Sequence, residues 1–394
     1  MRPQWSPRSE HEAGETVALR RVAATSKPLL SYDVATIYIP VVFDDLISSW
    51  DGDEVVVRFD RPTGTWMFVG IHSLRLGPAC GGTRMKTYRT PADALSDALR
   101  LSAAMTLKMA AANMPFGGGK AVLAVPGPLE GAGRRGLMLR YGDLVASLGG
   151  NFHTGPDMNT SPADMDVVGE RSPHVVCRSI EHGGSGDPGP HTANGVFHGI
   201  RATVRHRFGS ADLSARVILV QGVGDVGAPL AEQLAAAGAR VLVSDIAAER
   251  ARSLAGRIGA RVVPPDQALR TECDVYAPCA LGATLSKDTI PALRCGIVAG
   301  SANNQLAEPE DAERLRTAGI LYAPDFVINA GGVLYAWGLE ALGWSRDIVE
   351  ERHVAIGETL REIYSDAEQR GITTEAAAEE LARRRLATGT ELSR

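Results

Sequence analysis

Two lysines stand where lysines are seldom found. Lys108 lies among Met105, Met109 and a run of alanines, and Lys120 comes directly after three consecutive glycines and before the apolar stretch Ala121–Val125. An ammonium in such surroundings needs a compensating partner, and an anionic substrate would be one. Burial also disfavours the charged form. It draws a lysine pKa down from about 10.4 toward the ~7–8 that suits a general base. Consecutive glycines let backbone and ligand approach closely. The competing reading is that both amines snorkel to solvent. Asp157, in the turn-like stretch Thr154-Gly-Pro-Asp-Met-Asn-Thr160, is a third candidate, although composition alone would make it a turn-capping carboxylate.

A second constellation lies further along. Val217–Val220 reads as a buried strand, followed at once by Gly222-Val223-Gly224-Asp225-Val226-Gly227 and a helical pattern that Gly238 stops. Asp245 ends the next apolar strand, 18 residues beyond Gly227. Gly222 permits the tight turn, Gly224 lets backbone reach a pyrophosphate, and Gly227 lets helix and strand pack closely. The helix N-terminus offers free N–H groups and partial positive charge. Strand, helix and acid in their required places raise this pattern above a chance glycine-rich turn. Asp245 can accept from a ribose 2′-hydroxyl and would repel a 2′-phosphate, so NAD is favoured over NADP, with Arg250 nearby softening that preference. Pro229 fits only in the first turn of the helix, where a missing N–H does no harm.

The elements that must hold these residues follow from pattern. Glu54–Phe59 and Trp66–Ile71 read as a hairpin. Leu76–Arg84, with three glycines, reads as a loop. Thr90-Pro91 with Asp93 is a helix start, and Leu95, Ala98, Leu99, Met105 and Met109 recur at helical spacing. The Gly/Pro-rich segment 185–194 reads as a hinge. Alternating strand and helix beyond it predict a parallel, doubly wound sheet, an α/β fold. The expected division is a disordered extension at 1–28, a substrate and oligomerisation domain at 45–185 completed by helices from 331–394, and a Rossmann domain at 186–330.

The 394 residues suffice for two domains. A net charge of −5 with no Lys/Arg block argues against nucleic acid and anionic membranes. The N-terminus has no apolar secretory core, and no stretch reaches the ~20 apolar residues of a membrane helix. Five scattered cysteines without zinc spacing predict reduced thiols, no metal centre and a cytoplasmic setting.

LGPACGGTR (76–84), MTLK (105–108), GGGK (117–120), TGPDMNT (154–160), the nucleotide turn, YAPCALG (276–282), SANNQ (301–305) and ILYAPDFVINAGG (320–332) occur in order. Together they resemble the leucine/phenylalanine/valine dehydrogenase branch of the glutamate dehydrogenase superfamily over about residues 45–390, and the phenylalanine dehydrogenases most of all. The resemblance implies an NAD-dependent oxidoreductase that interconverts an L-amino acid with its 2-oxo acid and ammonia, working as a homo-oligomer. It implies that Lys108 binds the substrate carboxylate, that Lys120 is the general base, and that Asp157 holds the amino group and relays protons. Arg84, Gly82, Met105 and Asn303 are implied to hold the substrate. Thr192, residues 222–227, Asp245, Arg250, Ala280, Leu281 and Asn303 are implied to contact NAD. Ala283 departs from the pattern, since a second glycine is common there; Ser301 stands in place of alanine, and Pro188 where some relatives offer a hydroxyl. For the substrate side chain, Gly155, Cys80 and Ala336 are smaller than their leucine-type counterparts and favour phenylalanine or another large apolar amino acid. Val333 is the leucine-type choice, and a branched-chain substrate is the alternative. A non-catalytic NAD-binding regulator and a hydroxy-acid oxidoreductase are the rival classes. The first would have no need of Lys108, Lys120 and Asp157. The second would need a histidine base in a matching motif.

Overall fold

Apolar alternation sets the first sheet. The computed structural model describes residues 16–19, 43–280 and 282–389. Strands β1 (Thr16–Leu19), β2 (Glu54–Asp60) and β3 (Thr65–Ser73) form an antiparallel ribbon, with β2 and β3 paired from Glu54↔Ile71 to Asp60↔Thr65. β1 corrects the expectation of a disordered extension for its four residues. β2 presents an open row of backbone donors and acceptors, and a short extended segment satisfies it. The rest of 1–28 lies outside the described residues.

The sheet continues through β4 (Ala79–Lys86), β5 (Gly117–Ala124) and β6 (Phe152–Pro156) in the order β1-β2-β3-β5-β4-β6, with β4 parallel to both its neighbours. The predicted glycine loop at 76–84 is therefore mostly strand, and the glycines before Lys120 belong to β5. Glycine is depleted in strands because it packs nothing. Here neighbours already fill the space: a Cβ on Gly81 would lie 1.8 Å from Gly119 O, and one on Gly118 would lie 2.1 Å from Thr106 N. The second contact is with helix α1 (Pro91–Ala111), which the glycines allow to lie flat on the sheet. α1 starts as predicted. Thr90 Oγ1 accepts from Asp93 N–H, and Asp93 Oδ2 accepts in turn from Thr90 N–H, a capping arrangement whose loss costs about 1 kcal/mol. Helices α2 (Gly131–Ser147) and α3 (Pro162–Gly169) flank β6.

Helix α4 (Gly189–Phe208) leads to the second sheet: β7 (Val217–Gln221), α5 (Gly227–Ala236), β8 (Arg240–Ser244), α6 (Ala248–Ile258), β9 (Arg261–Val262), β10 (Val275–Pro278), β11 (Ile297–Val298), α7 (Asp311–Thr317) and β12 (Leu321–Tyr322). All its pairings are parallel, in the order β12-β11-β10-β7-β8-β9. The strand order reverses direction between β7 and β10, which opens a crevice at the strands' carboxyl ends. Pro229 is the third residue of α5, inside its first turn. The chain then forms α8 (Asp325–Ile328), α9 (Gly331–Glu340), α10 (Arg346–Arg370) and α11 (Thr374–Thr388). α9 and α10 pack on α4, and α11 returns to α1, where Arg385 Nη1 donates to Ala111 O at 2.5 Å. One apolar cluster runs through Met109, Val220, Leu334 and Leu381, joining both sheets to the C-terminal helices. Among the described residues no helix is long and apolar enough to cross a membrane.

Candidate active site

Strands β5, β4 and β6 lie side by side. In the row one residue before Thr83↔Ala121 and Thr83↔Pro156 stand Lys120, Gly82 and Gly155. Lys120 Nζ reaches across the middle strand to Asp157 Oδ2 at 3.0 Å. Gly82 makes this reach possible, because a Cβ there would lie 2.6 Å from Pro156 O and 2.9 Å from Asp157 Cβ. Asp157 sits in a tight turn after β6: its N–H donates to Thr160 Oγ1 at 2.9 Å, and its carbonyl accepts from Thr160 N–H at 3.0 Å. Oδ2 also accepts from Arg84 Nε at 3.0 Å, while Arg84 Nη1 donates to Asp97 Oδ2 at 3.0 Å. Lys108, near the end of α1, donates to Asn303 Oδ1 at 3.3 Å, and Asn329 Nδ2 donates to the same oxygen at 2.8 Å.

The electrostatics follow from burial. Lys120 is only 5% exposed; burial lowers its pKa, and the attraction of Asp157 opposes this only in part. Burial would raise the Asp157 pKa, but Lys120 and Arg84 outweigh it and hold the carboxyl well below the usual range. Burial likewise brings Lys108 down to about 8, against the pull of Asp325. Burial pushes Asp325 itself up, although the Gln305 N–H donates to its Oδ2 at 2.8 Å. The site therefore pairs an amine whose burial eases loss of its proton with a carboxylate that stays ionised, an arrangement suited to general-base chemistry.

These residues line a cleft of about 250 Å³ between the two sheets. Gly82, Arg84, Met105, Lys108, Lys120, Asp157, Asn303, Val333 and Ala336 all border it, as do Thr192 and Val226 from the nucleotide side. Gly155 and Cys80 do not. The tip of Trp337 stands over Gly155, with Cη2 3.4 Å from where a Cβ would be, and Cys80, on the same face of β4 as Gly82 and Arg84, is fully buried in the apolar cluster that includes Trp337. The enlargement expected at those two positions is thus not open to the cleft. Several cleft residues escaped sequence reasoning: Asp97, which holds Arg84 from behind, and the lining residues Asp325, Asn329 and Trp337. Helical spacing could have found Asp97, which shares the face of α1 with Met105 and Lys108. Asn329 Oδ1 is buried without a partner among the described residues, a polar atom left over on the cleft side.

At the nucleotide end, Gly222 has φ +89, and a Cβ there would lie 2.7 Å from Ala280 Cβ. A Cβ on Gly227 would lie 1.9 Å from Gly222 O. Above Gly224, by contrast, the nearest atom to a Cβ would be Arg250 Nη1 at 3.9 Å, so the backbone of this turn faces open space. Asp245 accepts from Val223 N–H at 2.8 Å and from Ala247 N–H at 2.7 Å, with Arg250 Nη1 3.9 Å away. Asp225 and Val226 lead into α5, in whose first turn the Ala228 N–H donates to Gly224 O at 3.0 Å and Pro229 has no N–H, so the turn's glycine backbone and the helix dipole remain to meet an anion. Glycine turn, helix end and acid fit a dinucleotide. Leu281 lies outside the described residues.

Residues 55–173 match the Glu/Leu/Phe/Val dehydrogenase dimerisation domain, and residues 243–393 match the Glutamate/Leucine/Phenylalanine/Valine dehydrogenase domain. The leucine dehydrogenase of Bacillus cereus is 39% identical over 344 residues, which is 87% of this chain and 93% of that protein. The chain belongs to the Glu/Leu/Phe/Val dehydrogenase family. It is accordingly an amino-acid dehydrogenase, with NAD as cofactor. The valine dehydrogenase of Streptomyces albus is 42% identical over 338 residues, covering 85% of this chain and 92% of that one. The solved L-tryptophan dehydrogenase from Nostoc punctiforme superposes with a TM-score of 0.75 at 36% identity, covering 87% of this chain and 98% of the other. A hetero-hexameric glutamate dehydrogenase from Thermus thermophilus superposes with a TM-score of 0.70 at 25% identity, covering 87% of this chain and 86% of the other.

Proposed function

We propose that this dehydrogenase deaminates a branched-chain L-amino acid, leucine or valine, and runs the reverse amination. The observation that carries the choice is Trp337, which occupies the space over Gly155 and borders the cleft. On this reading the indole takes up the extra room that a glycine at 155 would otherwise offer to a phenyl ring. The leucine and valine dehydrogenase relatives support the same choice. Ala336, which does border the cleft, favours phenylalanine as a second reading.

In this mechanism Lys108 Nζ binds the α-carboxylate, with Arg84 and Asn303 fixing its orientation. NAD held by residues 222–227 would supply the acceptor for the hydride that leaves Cα. Neutral Lys120 Nζ takes a proton from the water that attacks Cα. Asp157 Oδ2 accepts from the amino group and passes protons between it and Lys120. Met105, Val333 and Ala336 exclude water around the side chain. Amino acid, NAD and water give 2-oxo acid, ammonia, NADH and a proton. Residues 222–227, Thr192, Asp245, Arg250 and Ala280 would hold the dinucleotide. The reading assigns 45–185 with 331–394 to substrate binding and oligomerisation and 186–330 to the cofactor, in a cytoplasmic homo-oligomer.

The test is NADH formation with leucine, valine, phenylalanine and tryptophan. The expected order puts leucine or valine first in kcat/KM. A tenfold or greater preference for phenylalanine would overturn the substrate, and near-normal turnover in Lys120→Ala, where a ~10²-fold loss is expected, would overturn the base.

A further inference from the structure

The register row that carries Lys120 also carries, two strands away, Gly155. Two strand spacings separate their backbones by about 10 Å, and Lys120 Nζ spans the middle strand to Asp157, two residues beyond Gly155, so a substrate beside the base has its side chain within reach of this row. Two side chains meet Gly155 there, those of Val176 and Trp337, and of the two only Trp337 borders the cleft. Its Cη2 is 3.4 Å, and Val176 Cγ2 3.2 Å, from the position of a Gly155 Cβ. Trp337 shares one face of α9 with Val333 and Ala336, and all three border the cleft.

The ring is held by shape. Its Nε1 is buried without a hydrogen-bond partner among the described residues, so no polar contact dictates its orientation. The helix beneath it is fixed. Glu340 Oε1, at the end of α9, accepts from Cys177 N–H at 2.8 Å and Ser185 N–H at 2.9 Å. Gly338 presses so closely on Trp344 that a Cβ would lie 2.4 Å from Cε3. With α9 pinned at both points, the indole cannot withdraw as a unit; a Cβ at 155 would touch it at van der Waals distance and press on Val176 Cγ2.

We infer that Trp337 is the specificity-determining end wall of the side-chain subsite, with Gly155 and Val176 packed behind it. The inference rests on the catalytic roles proposed above for Lys108 and Lys120, which set the direction in which the substrate side chain points. A large residue at 337 and a glycine at 155 then act as one unit, and the length of the accepted side chain is read by the indole.

The test measures kcat and KM for valine, leucine, phenylalanine and tryptophan in wild type, Trp337→Phe, Trp337→Ala, Gly155→Ala and the Gly155→Ala/Trp337→Ala double variant. Shortening residue 337 should raise the phenylalanine-to-leucine ratio of kcat/KM by about tenfold or more, mainly through KM. Gly155→Ala should lower activity on leucine relative to valine, and that effect should vanish in the double variant. A merely structural tryptophan would depress all four substrates alike. Ratios unchanged within about twofold in folded Trp337→Phe and Gly155→Ala overturn the inference, even if Trp337→Ala does not fold. Should wild type itself prefer phenylalanine, the branched-chain reading fails, while the change of ratio in the variants still decides the role of Trp337.

Discussion

Replacing Asp157 by Asn removes one charge and keeps the shape, and its effect on the pH profile can be worked from geometry. Asp157 Oδ2 lies 3.0 Å from Lys120 Nζ. At that separation and an effective dielectric near 20, unit charges interact by about 5 kcal/mol, equivalent to nearly 4 pH units at ~1.36 kcal/mol each. Arg84 shares the same oxygen, and water entering from the cleft replaces part of the lost field, so the expected displacement is about 1–3 pH units. The sign is fixed by the role. Lys120 acts as a base only when neutral, so activity rises with pH as it loses its proton. Its carboxylate partner stabilises the protonated form and holds that rise at higher pH. In Asp157→Asn the rise therefore moves to lower pH, while the plateau falls because proton transfer at the amino group is lost. The assay is kcat/KM for the preferred amino acid between pH 6 and 11, followed by NADH absorbance. A limb that stays in place or moves to higher pH refutes the pairing. An Asp157 acting as the base itself would leave no ascending limb to move, because its own pKa lies well below the range.

Lys108, at about 8 in the free protein, must be protonated to attract a carboxylate, so kcat/KM should fall as pH rises through about 8. The corresponding limb in kcat should lie higher, because bound carboxylate holds the proton; coincident limbs would count against the role. Ala283 has φ +56, a conformation costing an L-residue about 1–2 kcal/mol relative to glycine, part of which glycine's greater unfolded-chain entropy takes back. Ala283→Gly should raise the melting temperature by roughly 1–3 °C, and a lowered value would refute the strain. Glu375, in the first turn of α11, has an Oε2 without a partner among the described residues, and burial with the nearby Asp325 pushes its pKa well up. A carboxyl whose folded pKa exceeds its unfolded ~4.3 loses stability as pH rises through that interval. The melting-temperature advantage of Glu375→Gln should thus grow between pH 5 and pH 8, and a constant difference would refute the assignment.

The nucleotide turn and the start of α1 were legible because their signals are local. Gly222, Gly224 and Gly227 act on a turn within six residues, and Thr90 and Asp93 cap each other three residues apart. The glycine runs misled for the complementary reason. Residues 79–84 and 117–119 look like loop until the chain is folded, since the atoms that forbid a side chain there, Gly119 O against Gly81 and Thr106 N against Gly118, come from other segments. Lys108 and Lys120 stand out by type and setting and Asp157 only through the family resemblance, and nothing local shows that a single carboxylate oxygen serves both Lys120 and Arg84. That sharing keeps Asp157 ionised.

Substrate choice shows the limit most clearly. Read one position at a time, Gly155, Cys80 and Ala336 all enlarge a pocket. Folded, Cys80 is sealed into the apolar cluster beside the cleft, and Gly155 lies under an indole supplied from the far end of the chain. Packing density is conserved where single residues are not, so a side chain lost at one wall is replaced from another. A pocket is therefore legible in sequence only when every element that borders it is read together. Here that means β6, which gives up volume at Gly155, and α9, which takes it back with Trp337 and yields some again at Ala336. The net change across those three positions, not the sum of the losses, sets the side chain the cleft will admit.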